Sequence, residues 1–570
     1  MYKDLYNEWI SSNKLKPVER RELEQIKDNE KEIEYRFGKD LEFGTAGMRG
    51  IIGMGTNMMN VYTVKRASQG LAEYIKKRGP IAKYRGVVIA YDTRRFSREF
   101  ASAAAVVLAS NKIRVFLFEH VHPVPMLSFA VRELNCVAGI MITASHNPKE
   151  YNGYKVYGED GAQMSPEATA KVVNYIEKIQ SPLSDDIKFS KKLALKYVKF
   201  VGKRLDNKYY KKITKLLLSP EETLKVGRDI KLVYTPVHGS GFIPVTTILK
   251  KIGIKASIVA EQESEDPDFS TVEVPNPEFK ETLSLAISQA NAEGADVVFG
   301  TDPDCDRLGV AIRNDAGDFV ALSGNQTGVL LLDYILKRLK EKGELSKKCF
   351  AVKSFVTTSL ARLIADDYGV EMMEVPVGFK FIGEKIKKLD DTGKRRYVFG
   401  FEESCGYLRG THARDKDAVV ASMLFAEMVC YYTAHDVKVY DRLQEIYAKY
   451  GYVCDKSVST MYSGLNAMKD MNAVVDAMKE KNIQQVGGFK VIAKRDYSSL
   501  TRTEGNKTTK INCSPVNAVY YELEGGGFVC VRPSGTEPKL KVYYSVTGKD
   551  KTTAEENFFS VKQDFEALMK

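Results

Sequence analysis

Cysteine is scarce in this sequence: eight residues in 570 (Cys136, Cys305, Cys349, Cys405, Cys430, Cys454, Cys513 and Cys530). They include no CxxC pair and no zinc-type spacing. That excludes a disulfide scaffold or a zinc ribbon and predicts reduced thiols, mostly packed as small apolar groups, in a cytoplasmic protein. The segment Met1-Tyr2-Lys3-Asp4-Leu5 is polar and lacks the apolar stretch of a secretory leader. Long hydrophobic runs are missing too. The most apolar helix candidate, 418–432, is interrupted by Glu427 and is too short for a bilayer, so no membrane partner is expected. Nor is there a long basic run. The 85 Lys and Arg are interleaved with 74 Asp and Glu, so the net charge of +11 suits anionic ligands without marking a nucleic-acid surface. Walker A, a kinase glycine loop and an HRD motif are all absent, so ATP is not the evident phosphoryl source.

What is present is the composition of a soluble globular protein, 44% hydrophobic and 28% charged. The chain is too long for one core, and several domains are expected. The first forty residues are charge-rich with helical spacing and predict one or two added helices. From Val87 onward, apolar runs of strand length alternate with amphipathic segments of helix length. Strands are predicted at 87–91, 113–118 and 137–143, with helices at 97–111 and 123–134. The pattern recurs with strands at 230–234, 256–259 and 296–300, and again at 353–355, 372–375 and 397–401. Such alternation predicts α/β units with mainly parallel sheets.

After Gly451 the order changes to a helix at 465–480, close strands at 520–523, 527–531 and 540–545, and a closing helix at 554–569. Polar or glycine-containing connections are expected near 203–212, 323–326 and 451–456. The expected architecture is α/β: three similar mixed or parallel-sheet domains (1–205, 206–323 and 324–450) around a central cleft. A C-terminal α+β domain (451–570) with an antiparallel sheet completes it.

Ligands gather at the carboxyl ends of strands in open parallel sheets, and four loops carry suitable chemistry. Thr143-Ala144-Ser145-His146-Asn147-Pro148 offers a hydroxyl as phosphoryl acceptor, with His146 and Lys155 as neighbouring cations; a polar turn with an Asx-Pro stop is an equal reading. Asp302-Pro303-Asp304-Cys305-Asp306-Arg307 places three carboxylates at alternating positions, which suits Mg²⁺ shared with a phosphate oxygen. An EF-hand is disfavoured because Arg307 stands where its glycine belongs and Arg313 where its bidentate glutamate belongs. A haloacid-dehalogenase nucleophile is disfavoured because Asp306 replaces the downstream threonine. Gly400-Phe401-Glu402-Glu403-Ser404-Cys405-Gly406 has acceptors for sugar hydroxyls, although a surface acidic turn reads the same way. Arg532-Pro533-Ser534-Gly535-Thr536-Glu537-Pro538-Lys539 has the donors of a phosphate cradle, with a hairpin turn as the alternative.

Moving a phosphoryl group needs a nucleophile, a cation on its oxygens and a separate grip on the substrate, and these loops together supply all three. Gly44-Thr45-Ala46-Gly47-Met48-Arg49-Gly50, Asn152-Gly153-Tyr154-Lys155 and Gly378-Phe379-Lys380 accompany them. In this order and spacing the seven motifs resemble the α-D-phosphohexomutase superfamily of phosphoglucomutases and phosphomannomutases over nearly the whole chain.

The resemblance implies a phosphorylated Ser145, and Mg²⁺ held by Asp302, Asp304, Asp306 and a phosphoserine oxygen. It implies proton transfer and charge stabilisation by Arg49, His146 and Lys155, with substrate contacts from Thr45, Arg307, Gly378, Lys380, Glu402 and Ser404. A distal phosphate would rest on Arg532, Ser534, Gly535 and Thr536. Glucose 1,6-bisphosphate is the implied activator and intermediate, and sugar phosphates are the implied small-molecule partners.

The Glu402-Glu403-Ser404 form resembles glucose-type mutases. The length and Asn152-Gly153-Tyr154-Lys155-Val156-Tyr157 resemble the branch that holds bacterial phosphoglucomutase and eukaryotic phosphopentomutase and glucose-1,6-bisphosphate synthase. Glucose phosphate is the expected substrate, with phosphopentomutase and phosphomannomutase as alternatives. A non-catalytic sugar-phosphate-binding protein would be expected to lose Ser145 or an aspartate, and all four are present. A phosphatase acting through phosphoserine is the third alternative.

Overall fold

A computed structural model describes residues 2–44, 47–462, 467–534 and 539–569. Its residues divide into two units: 1–321 with 386–388 and 406–431, and 322–385 with 389–405 and 432–570.

In the first unit, Val87–Tyr91, Val115–Phe118, Ala138–Ile142 and Val198–Val201 run parallel. Tyr151–Gly158 adds antiparallel to Ala138–Ile142, and Gly47–Ile51 adds antiparallel to Tyr151–Gly158. The Val87 and Ala138 strands are buried along their whole length, which is why they read as continuous apolar runs. Tyr151–Gly158 was not expected as a strand. It is covered on both faces despite its polar composition, so no alternation betrays it.

The second sheet pairs Leu232–Thr235 in parallel with Ala256–Ile258 and Val297–Thr301, and Val297–Thr301 antiparallel with Leu308–Arg313. The helix Ala418–Thr433 also belongs mostly to this unit. Its fully buried Glu427 accepts the backbone N–H groups of Leu218 (2.7 Å) and Ser219 (2.6 Å), which explains a carboxylate inside an apolar helix. No helix among the described residues is long and apolar enough to cross a membrane.

The expected connections at 323–326 and 451–456 instead open the helix Gly324–Glu341, capped by Ser323, and the largely solvent-facing strand Tyr452–Met461, and two further expectations need correction. The N-terminus forms three helices, Tyr2–Ser11, Pro17–Gln25 and Glu30–Phe37. They close over Trp9, whose ring meets Phe37 and Tyr62 edge-on at 5.7 and 5.6 Å. Residues 203–212, read as a polar connection, lie in the helix Lys203–Thr214. Leu205, Tyr209, Tyr210 and Ile213 bury one face at helical spacing, and the lysines between them obscured that stripe.

In the second unit, Cys349–Ser354 pairs in parallel with Glu371–Val375 and Arg396–Glu402. The last sheet is antiparallel and has Tyr452–Met461, Lys539–Gly548, Phe528–Pro533, Val519–Leu523 and Phe489–Asp496 side by side. The helices Ala467–Glu480 and Lys551–Met569 cover it through Met471, Val475, Phe558 and Phe565. The architecture is thus three mixed or parallel α/β sheets followed by an antiparallel one. All eight cysteines are free and seven are buried, as their scattered spacing implied.

Candidate active site

The Ser145 loop leaves the carboxyl end of Ala138–Ile142, a strand flanked on both sides within its sheet. Thr143 Oγ1 accepts the Ser145 N–H at 2.8 Å, and Ser145 itself has φ of 53°. A left-handed serine is strained and persists only where its surroundings hold it. Those surroundings are supplied by Arg94, whose guanidinium donates to the carbonyls of Ser145, Asn147, Pro148 (2.9 Å) and Tyr151 (3.1 Å). Buried Asp92 balances Arg94 at 3.4 Å. Gly153 lies behind the loop, where a Cβ would stand 2.5 Å from the Thr143 carbonyl oxygen, so no larger residue fits there.

The acidic loop follows Val297–Thr301 and turns at Cys305, which also has a left-handed φ of 50°. The backbone N–H groups of Asp306 (3.0 Å) and Arg307 (2.9 Å) both donate to Asp302 Oδ1. One oxygen from each of Asp302, Asp304 and Asp306 lies within 4.8 Å of the others, and all three residues are buried. Lys155 Nζ reaches Asp304 Oδ2 at 2.9 Å, and Lys416 Nζ reaches Asp306 Oδ2 at 2.9 Å. Burial, with Asp304 and Asp306 alongside, raises the Asp302 carboxyl well above the usual carboxylate range. Burial and the Asp304 charge raise Asp306 as well. For Asp304 burial acts upward, but the Lys155 charge and the hydrogen bonds from Asp302 and Lys155 outweigh it and hold the carboxyl down.

Three carboxylates against these two lysines leave excess negative charge in a low-dielectric site. Asp304 Oδ1 and Asp306 Oδ1 are buried and have no hydrogen-bond partner among the described residues. Oxygen donors, excess charge and orphaned acceptors fit a hard divalent cation such as Mg²⁺.

The two loops meet within the first unit. Ser145 Oγ lies 3.1 Å from Asp302 Oδ2 and 3.2 Å from His146 Nδ1. His146 was expected to act as a cation. Loss of solvent, with the charges of Arg307 and Arg49 nearby, holds its pKa well below the ordinary value, so it is a neutral hydrogen-bonding group. Arg49, on the exposed face of Gly47–Ile51, donates to Asn147 Oδ1 at 2.9 Å and so joins the same loop. Arg307 pairs with Glu278. Arg94 and Lys416 were missed by sequence reading. Asp92-Thr93-Arg94-Arg95 sits at the carboxyl end of Val87–Tyr91, and that position is the signal for Arg94; Lys416 has no local signal.

In the second unit, Glu402 Oε1 accepts the Gly378 N–H at 2.6 Å and so joins two of the expected substrate loops. Gly378 has φ of 122°, which favours glycine. Lys380 follows on the helix Phe379–Leu389, where burial lowers its pKa. Glu403 is not a second free acceptor, because Ser354 and Thr357 hydroxyls each donate to its Oε2 at 3.0 Å. Cys405, beside Ser404, is left-handed with φ of 61°. Arg532 is the penultimate residue of the strand Phe528–Pro533 and its Nη1 lies 3.4 Å from the Tyr543 hydroxyl, while Ser534 N–H donates to the Lys539 carbonyl at 2.8 Å. Thr45, Gly535 and Thr536 lie outside the described residues.

Models of phosphoglucomutase/phosphomannomutase alpha/beta/alpha domains I, II and III match residues 40–183, 207–317 and 323–450, and the C-terminal domain model matches 472–559. A phosphoglucomutase of Staphylococcus haemolyticus is 36% identical over 534 residues, covering 93% of each chain. One from Staphylococcus aureus (strain USA300) is 38% identical over 524 residues, covering 91% of this chain and 92% of its own. The open form of Paramecium parafusin shares the fold, with a TM-score of 0.67, 18% identity and coverage of 92% and 94%. The chain belongs to the phosphoglucomutase/phosphomannomutase family.

Proposed function

We propose that this protein interconverts glucose 1-phosphate and glucose 6-phosphate through a phosphorylated Ser145 and enzyme-bound glucose 1,6-bisphosphate. The carrying observation is the 3.1 Å approach of the buried Ser145 hydroxyl to Asp302 within the carboxylate triad. A hydroxyl beside a metal-suited triad is what a phosphoryl relay requires. Asp302, Asp304, Asp306 and an oxygen on phosphorylated Ser145 would hold Mg²⁺, which when bound would neutralise phosphoryl oxygens and make phosphorus more electrophilic.

In this reading the Ser145 phosphoryl group passes to a sugar hydroxyl. Neutral His146, with Nδ1 3.2 Å from Ser145 Oγ, and Lys155 are the candidates for handling the proton there. Arg49 and Arg307 add positive charge around the transferring group. The bisphosphate then reorients and returns its other phosphate to Ser145. Thr45, Gly378, Lys380, Glu402 and Ser404 would grip the sugar, and Arg532, Ser534, Gly535 and Thr536 the distal phosphate. The domains would run 1–205, 206–323, 324–450 and 451–570, in a cytoplasmic enzyme.

The identity of 36–38% with bacterial phosphoglucomutases favours glucose over pentose or mannose phosphates. The deciding measurement is kcat/KM for glucose 1-phosphate, mannose 1-phosphate and ribose 1-phosphate, because a few hydrogen bonds set that ranking. A higher value for ribose 1-phosphate would overturn the assignment to glucose. Turnover by Ser145→Ala at the normal rate would overturn the mechanism.

A further inference from the structure

A second concentration of charge lies at the opposite end of the first sheet. The strands Val87–Tyr91, Val115–Phe118 and Val198–Val201 are parallel and aligned at their starts, Val87 opposite Val115 and Val115 opposite Val198. Beside these amino ends is a cavity of about 360 Å³. It is lined by five basic residues, Lys83, Lys112, Arg114, Lys196 and Lys199. Tyr84 and Tyr197 add two aromatic rings, and no carboxylate lines it. Ala138–Ile142 runs parallel in the same sheet with Ala138 opposite Val87, so the Ser145 loop leaves from the far end, about 15 Å away along the strands.

Most basic side chains on a surface are solubilising and paired or scattered, and this set is neither. Among the described residues none of the five forms an ion pair or a side-chain hydrogen bond, although the sequence carries 74 carboxylates. Arg114 is half-buried and its guanidinium is fixed over the Tyr84 ring, 4.1 Å from the centroid. Stacking orients the planar fork and leaves its N–H edge for an anion. Lys196 Nζ lies 5.8 Å from the Tyr197 centroid. Holding five like charges around one concavity costs stability through mutual repulsion, and an anion in the cavity relieves it.

We infer that this cavity binds a small anion carrying two or more phosphates. Five cations exceed what a single phosphate neutralises, and a partly open cavity of about 360 Å³ has room for a small molecule rather than for a nucleic-acid strand or a protein surface. The tyrosine rings allow a planar group beside the phosphates, so an inorganic polyphosphate and a nucleoside polyphosphate share the required chemistry. The site is independent of the mutase reading, and its residues touch none of the Ser145 machinery.

The test is calorimetric titration of the full chain with inorganic triphosphate and, separately, ATP, in low salt without divalent cations. Wild-type protein is compared with Arg114→Ala/Lys196→Ala/Lys199→Ala and with Lys83→Ala/Lys112→Ala. The expected result is one saturable event that weakens about tenfold or more in each variant and fades as salt rises. Mutase turnover should stay at wild-type level and thermal melts at or slightly above it, since repulsion is relieved, which separates lost binding from lost folding. Equal affinity for both probes assigns the site to phosphates alone; tighter ATP binding adds a base on the tyrosines. Unchanged affinity in both variants, or absence of saturable binding, would overturn the inference.

Discussion

Ser145 Oγ sits 3.1 Å from Asp302 Oδ2, across 157 residues of sequence, in the same unit of the fold. This contact joins the candidate nucleophile to the candidate metal site. Ser145→Ala should abolish the phosphorylated species seen by intact mass and lower kcat by about 10⁴-fold or more, as loss of a covalent nucleophile does. The substitution removes one oxygen, so the melting temperature should hardly change.

The triad's charge predicts opposed effects on activity and stability. Asp306→Asn removes one of three carboxylates crowded within 4.8 Å. It should weaken Mg²⁺ binding and lower kcat/KM by about 10²-fold or more. Without metal, the variant should melt no lower than wild type, because relief of repulsion offsets the lost pairing with Lys416. A thermal shift series with and without Mg²⁺ measures both effects, and an equal metal-induced shift in the two proteins would remove Asp306 from the site.

Arg94 offers a test of loop positioning. Its side chain and that of Asp92 are both fully buried, 3.4 Å apart. Arg94→Met leaves Asp92 without its partner and the loop carbonyls without donors, at an expected loss of about 3–5 kcal/mol. Arg94→Lys keeps the charge but cannot span four carbonyls. It should remain folded with kcat reduced and KM little altered, because the damage falls on the nucleophile rather than on sugar binding.

A pH effect is expected in the second unit. Burial pushes the Asp455 carboxyl up to about 6 against the pull of Ser545, Thr358, Lys353 and Asn325. The folded state therefore holds a proton that the unfolded chain releases near pH 4. Stability should fall as pH rises from about 4 to about 6, and level off above that. Asp455→Asn should flatten this decline in denaturant melts across the range. A decline of unchanged size in the variant would assign the effect to another group.

Much of the architecture was legible because its signals are local. Fully buried strands such as Val87–Tyr91 and Ala138–Ile142 are short apolar runs bounded by turns, and helices such as Ser97–Ser110 carry their own period. Asp302, Asp304 and Asp306 announced themselves because an alternating triplet converges on one cation within a single loop. Tyr151–Gly158 was hidden because burial on both faces erased its alternation, and Lys203–Thr214 because lysines masked its apolar stripe.

Sequence alone determined the succession of α/β units, the change to an antiparallel sheet after Gly451, and the chemical character of each loop. Tertiary structure decided how those loops are used. Arg94 clamps Ser145 and Lys416 pairs with Asp306 through contacts 51 and 110 residues apart, distances at which neighbouring letters carry no signal. The same holds for protonation. His146 reads as a cation from its identity, but the solvent it loses and the guanidinium charges around it exist only once the chain has folded.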